Sequence, residues 1–219
     1  MNLVNLTSSR LEASSDEYVT QSHKSPDSEN DNGQQDNKGD RGDRIVNICE
    51  IITPTLANRV ILELLQYNAS APDEPIHMFI FSPGGCVVSG LAIVDAMEHI
   101  TAPVFTYSIG FAASMGAVIL AAGQKGHRYI LPRSRVMIHQ ARGSAGGTLD
   151  NLRATLAHQI ELESDIEEIL ARASGHTLEE IRDALKVDNW LKAQTAVDFG
   201  LVDHVLSPAT SLNPDSTEV

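Results

Sequence analysis

The segment Gly110-Phe111-Ala112-Ala113-Ser114-Met115-Gly116 places a serine where an apolar strand-like run hands over to an apolar helix-like run, among residues small enough for close backbone approach. A hydroxyl so placed lies at a helix N-terminus, where free N–H groups and the helix dipole favour negative charge. Nucleophilic attack on a carbonyl needs such a place, because the tetrahedral intermediate is an oxyanion. The same residues also suit a buried packing serine in a small-residue helix, and the segment alone does not separate the two readings.

A second small-residue site precedes it. Ser82-Pro83-Gly84-Gly85 ends one apolar run and opens the next helix-like segment. Paired glycines after a strand free backbone N–H groups to face a ligand, though a plain tight turn reads the same way. A phosphate loop is excluded, since neither a Gly-Lys-Ser/Thr ending nor G-x-G-x-x-G spacing is present. A nucleophilic serine needs a base. Of the eight histidines, His139 stands at the end of the apolar run Val136-Met137-Ile138, beside Gln140 and a glycine-rich segment. Asp188 lies between a charged helix-like segment and Trp190, and by itself carries no signal. The order Ser, His, Asp differs from the Ser, Asp, His order of α/β-hydrolases, but triads recur by geometry and not by chain order.

These residues need a scaffold. Ile45 to Ile48 reads as a strand, and Pro54 opens an amphipathic helix through Leu56, Val60, Ile61, Leu64 and Leu65. Strand and helix then alternate: Pro75 to Phe81, Val87 to His99, Val104 to Ser108, and Ser114 to Ala122. Short strands follow at Tyr129 to Leu131 and Val136 to Ile138. That rhythm is α/β, a parallel sheet covered by helices. A helix over Thr148 to Ala173 carries Leu149, Leu152, Leu156, Ile160, Ile166 and Leu170 at helical spacing, with Gly175 as its stop. At about 39 Å by the helical rise, it is long enough to project from a small domain. Thr177 and Glu180 form a capping box, and Ala193 to Phe199 and Val202 to Leu206 close the fold.

Composition narrows the function. The 219 residues carry a net charge of −13, which disfavours nucleic acid and gives no basic patch for an anionic membrane. Two cysteines, Cys49 and Cys86, have no metal or redox spacing and point to a reducing compartment. No metal site is expected. The uncharged stretch from Ala102 to Gly123 is long enough for a membrane span, but its β-rich start and small-residue end read as a buried strand and helix. Residues 1–43 are polar, acidic and poor in apolar residues, so they are expected to be a disordered tail. Their acidity argues against a transit peptide and the lack of a basic-then-apolar start against a secretory signal, so a cytoplasmic protein is expected.

Taken together, Ser82-Pro-Gly-Gly85, Gly110 to Gly116, Arg135-Val-Met-Ile-His-Gln140, Asp188-Asn-Trp-Leu191 and Ala196 to Asp203 resemble the Clp protease proteolytic subunit in order and spacing. The resemblance implies a crotonase-like spiral of βαβ units over residues 44–207, with the long helix as a protruding handle and residues 208–219 as a flexible tail. It implies a serine endopeptidase acting on unfolded polypeptides: Ser114 as nucleophile, His139 as base and then acid, Asp188 orienting the imidazole, and the N–H groups of Gly85 and Met115 as oxyanion hole. Substrate would lie as an added strand on Gly84, Gly85, Cys86, Val87 and Val88, and on Arg142, Gly143 and Ser144. The expected partners are copies of the chain in heptameric rings stacked as a tetradecamer, an AAA+ Clp unfoldase, and a second proteolytic paralogue. No cofactor is expected, ATP being used by the unfoldase.

Some positions depart from the family pattern. Phe81 replaces the usual Asn, and Ala141-Arg142 the usual Pro-Leu, so that Arg142 is expected to favour acidic side chains near the scissile bond. Lys186-Val187 replaces an acid-arginine pair that joins the rings, which implies a weaker ring-to-ring contact. Family positions that receive the unfoldase correspond to His77, Phe79, Tyr107, Ile109, Tyr129 and Leu131. The alternatives are a non-catalytic subunit of a mixed ring and a crotonase-type acyl-CoA enzyme, which would not need the Ser, His, Asp set.

Overall fold

The computed structural model describes residues 44–206; the expected N-terminal tail (1–43) and the expected C-terminal tail (208–219) lie outside them. In chain order the elements are β1 (Ile45–Ile48), α1 (Pro54–Ser70), β2 (Ile76–Ser82), α2 (Val87–His99), β3 (Val104–Ala113), α3 (Met115–Ala121) and β4 (Arg128–Ile130). They continue as β5 (Arg135–Ile138), α4 (Leu149–Ser174), α5 (Leu178–Leu185), β6 (Asn189–Lys192), α6 (Ala193–Asp198) and β7 (His204–Val205). Helix boundaries follow local chemistry. Thr53 caps α1 through its side chain with Pro54 in the first turn, Thr148 caps α4, and Gly175 closes it in a left-handed conformation. The capping box of Thr177 and Glu180 starts α5.

The main sheet runs β1-β2-β3-β4-β7, all parallel, with β5 parallel to β3 and β6 antiparallel to β5. Strand-helix-strand repeats with helices over a parallel sheet are the expected crotonase-like architecture. Val46, Ile48, Met78, Ile80 and Val104 of the strands meet Leu56, Val60 and Leu64 of α1, Ile93, Val94 and Met97 of α2, and Val118 and Ile119 of α3 in one core. The alternate residues of β2, β3 and β4 build an aromatic ladder, in which the ring of Tyr107 stacks between Phe79 and Tyr129 at 4.8 and 5.0 Å. Burial, with the neighbouring Tyr129, pushes the Tyr107 hydroxyl up to about 12. This ladder holds the expected docking positions His77, Phe79, Tyr107 and Tyr129.

The uncharged stretch Ala102 to Gly123 resolves into β3 and α3, and no helix among the described residues is long and apolar enough to cross a membrane. Two differences from expectation bear on the site. β3 runs on to Ala113, so Ser114 precedes α3 and is not its first residue. The stretch after Asp188 forms β6, unread in the sequence because its only buried residue is Leu191 and its pairing with β5 is non-local. Of α4, only Ile166, Glu167 and Leu170 are buried, so its N-terminal half stands away from the core.

Candidate active site

A bulge aims the end of β3. Ile80 pairs with Ser108 and Ser82 with Ala112, so two steps along β2 span four along β3. Gly110 absorbs the excess at φ +71, packed against the Phe81 ring so closely that a β-carbon would lie 2.9 Å from Phe81 Cε2. Here β3 exchanges partners: it pairs with β4 as far as Ser108 and with β5 from Phe111 onward. Register then does the assembly. Ala113 lies opposite Met137, which brings Ser114 level with Ile138 and beside His139, and Ile138 lies opposite Asn189, which brings His139 level with Asp188.

Among the described residues Ser114 is the one non-glycine with positive φ, at φ 54 and ψ −126. Such strain persists only where the surroundings impose it, and here it is imposed from both sides. The Ser114 N–H donates to Met137 O at 2.8 Å, and the N–H groups of Ala117 and Val118 donate to the Ser114 carbonyl at 2.9 and 3.2 Å. The turn tips the side chain toward β5.

Ser114 Oγ lies 2.9 Å from His139 Nε2, and His139 Nδ1 lies 3.0 Å from Asp188 Oδ1. The carboxylate can only accept, which assigns the proton to Nδ1 and leaves Nε2 free to accept from the serine hydroxyl. Partial desolvation pushes the Asp188 carboxyl up, but hydrogen bonds from Arg142 and His139 outweigh it and hold the group below the usual carboxylate range. Arg142 Nη2 donates to the same Oδ1 at 2.7 Å.

The glycine turn lies against this group. Ile52 N–H donates to Gly84 O, and Cys86 N–H donates to Ile52 O, both at 2.8 Å. In an extended chain the N–H of the intervening Gly85 points the opposite way, off the Ile52 edge. Gly85 has no room for a side chain, since a β-carbon would lie 2.3 Å from Ile52 O. Met115 opens α3, and helix geometry leaves its N–H without an intrahelical acceptor. Both expected oxyanion donors therefore stand at elements adjoining Ser114.

The remaining expected substrate residues divide. Gly84, Gly85 and Cys86 are non-helical, whereas Val87 and Val88 are the first residues of α2 and cannot offer a strand edge, so the extended edge ends at Cys86. Cys86 is exposed, and a hydrogen bond with the Ser89 side chain holds its thiol below the usual range. Arg142, Gly143 and Ser144 are exposed and irregular, but Arg142 turns back onto Asp188 and is not a free cation facing a substrate. A cleft of about 640 Å³ runs between Cys86 to Val88, Gln140 to Gly143 and α4. Sequence reasoning missed the small apolar recess beside Ser114, about 10 Å³ in volume and walled by the core residues Val118, Ile138, Ile166, Leu170 and Leu185. Its only sequence signal was apolar spacing, which does not tell a pocket wall from core. Among the described residues no group of three His, Cys, Asp or Glu side chains is placed to hold a metal ion.

This is the equipment for acyl transfer: a nucleophile, a base with its proton position set, an orienting carboxylate, and N–H donors at a helix start. The Clp protease family matches residues 39–209. The ATP-dependent Clp protease proteolytic subunit 2 of Chlamydia trachomatis serovar D is 44% identical over 167 residues, covering 76% of this chain and 82% of that one. The protein of the same name from Chlamydia pneumoniae is 41% identical over 175 residues, covering 80% and 86%.

Proposed function

The chain belongs to the Clp protease family and is a serine-type endopeptidase, and from that premise we propose that Ser114, His139 and Asp188 cut unfolded polypeptides inside a ring-shaped chamber. The observation that carries the assignment is the hydrogen-bond chain from Ser114 Oγ through His139 to Asp188.

In this reading Ser114 Oγ attacks the scissile carbonyl while His139 Nε2 takes its proton. The N–H groups of Gly85 and Met115 receive the oxyanion. His139 then gives the proton to the leaving amine, and the tetrahedral intermediate collapses to an acyl-enzyme on Ser114. Water, deprotonated by His139, attacks the ester and releases the second product. Asp188 stays ionised, keeps the Nδ1–H tautomer and stabilises the imidazolium.

The chain has no phosphate-binding loop, so threading of folded substrates falls to an AAA+ unfoldase docked on the aromatic ladder. Heptameric rings, stacked in pairs through α4, form the chamber. Two exposed, unpaired cysteines suit the cytoplasm. A non-catalytic ring subunit would have no need of a strained serine with a paired histidine.

The test is a fluorophosphonate probe on the purified chain, with digestion and mass spectrometry. The expected result is modification of Ser114, and none in Ser114→Ala. A chain that stays unlabelled while assembled with its unfoldase would be a structural subunit.

A further inference from the structure

The Asp188 carboxylate is 47% exposed, unusually open for the group that orients a catalytic histidine. Among the described residues its hydrogen bonds come from two side chains, His139 Nδ1 and Arg142 Nη2, and both converge on Oδ1. Such a carboxylate would otherwise turn freely in water, and each turn would release the imidazole from its tautomer and orientation. Arg142 supplies the second point that fixes it. The guanidinium comes from the irregular segment between β5 and α4, three residues beyond His139, so donor and base are carried by one stretch of chain while the acceptor stands just before β6.

We propose that Arg142 is a positioning residue, clamping Asp188 Oδ1 so that the carboxylate stays aligned on His139 Nδ1. This replaces the expectation that Arg142 recruits acidic substrate side chains, because its guanidinium is already spent on an anion within the site. Arginine suits the role, being always charged and having a planar, directional set of donors. The inference rests on the reading of Ser114, His139 and Asp188 as the catalytic group.

An exposed ion pair is often energetically idle, so the experiment must separate a clamp from a bystander. The full chain is assayed with a fluorophosphonate for Ser114 labelling and a short fluorogenic peptide for kcat and KM. Labelling of the unaltered chain comes first; its failure would overturn the triad and not only the clamp. Given labelling, Arg142→Gln is expected to lower kcat roughly threefold to tenfold with KM within about twofold, and Arg142→Lys to recover part of the loss. If Arg142 acts through Asp188, adding Arg142→Gln to Asp188→Asn leaves the labelling rate of the single variant unchanged. An unaltered kcat, a loss confined to KM, or a full additional loss in the Asp188→Asn background would overturn the clamp while leaving Ser114 assigned.

Discussion

Gly84 and Ser114 are packed so closely that a β-carbon on Gly84 would lie 2.7 Å from Ser114 Cβ and equally close to Ala113 O. With φ at +92, Gly84 also holds a backbone conformation that L side chains rarely adopt. Gly84→Ala should therefore push the serine off its position relative to His139. A displacement near 1 Å costs on the order of 100-fold in rate, well beyond what a modest loss of stability explains at assay temperature. Measured kcat/KM should fall by about that factor while the chain still melts cooperatively. Wild-type turnover by a folded Gly84→Ala protein would mean that the contact is slack.

The strain at Ser114 separates activity from stability. Ser114→Ala removes the hydroxyl but keeps the strained φ, whereas Ser114→Gly removes both hydroxyl and strain. Both variants should lose at least about 10⁴ in peptidase rate. Ser114→Gly should in addition be more stable than Ser114→Ala by about 1 kcal/mol, readable as a higher midpoint in denaturant. Equal midpoints would show that the turn is unstrained in solution.

Acid should act through Asp203. Arg128, almost fully buried, places two nitrogens on this carboxylate, at 2.7 and 2.9 Å, and the Arg128 and Gly126 N–H groups donate to it as well. Desolvation pushes the group up, but these hydrogen bonds and the arginine charge hold it below the ordinary carboxylate value. A depressed folded value means stability that is present above the unfolded value of about 3.9 and is lost as pH falls through the folded one. Asp203→Asn should cost roughly 3–5 kcal/mol at neutral pH, since the buried guanidinium loses its counter-charge. The gap between wild type and variant should narrow as the pH of the melt is lowered below about 4. A gap that widens in acid would contradict the pairing.

Helix ends were legible because their signals are local. Pro54 at the start of α1, Gly175 at the end of α4, and Thr177 with Glu180 at the start of α5 each act within a turn of the residue concerned. Ser114 was legible for the same reason, as a small-residue junction of strand and helix. His139 and Asp188 were not separable from the other histidines and acids on residue type alone. What joins them is the antiparallel pairing of β5 with β6, a contact between segments some fifty residues apart. The bulge at Gly110, the turn of Arg142 onto Asp188 and the recess walled by α4 are equally non-local. Resemblance to a family named Ser114, His139 and Asp188 without explaining their approach; strand register explains it.

The handle helix should join the rings by apolar contact more than by charge. Leu149, Leu156 and Ile160, spaced by seven and then four residues, share one face of α4 and are 63%, 56% and 62% exposed on the single chain. A stripe of that kind needs a cover. The sequence led to the expectation that Lys186-Val187, in place of an acid-arginine pair, weakens the contact between rings. On the single chain Lys186 donates to Asp183, three residues earlier, and Val187 is an exposed apolar side chain. Burying one Leu or Ile fully is worth about 1.5–3 kcal/mol, against about 0–1 for an exposed ion pair. Leu156→Glu should therefore shift the assembly from paired to single rings in analytical ultracentrifugation, with the helix content of the chain unchanged. Raising the salt to about 1 M, which screens charges beyond roughly 3 Å, should leave the unaltered assembly paired. Dissociation by salt, with Leu156→Glu still paired, would hand the contact back to the ion pairs.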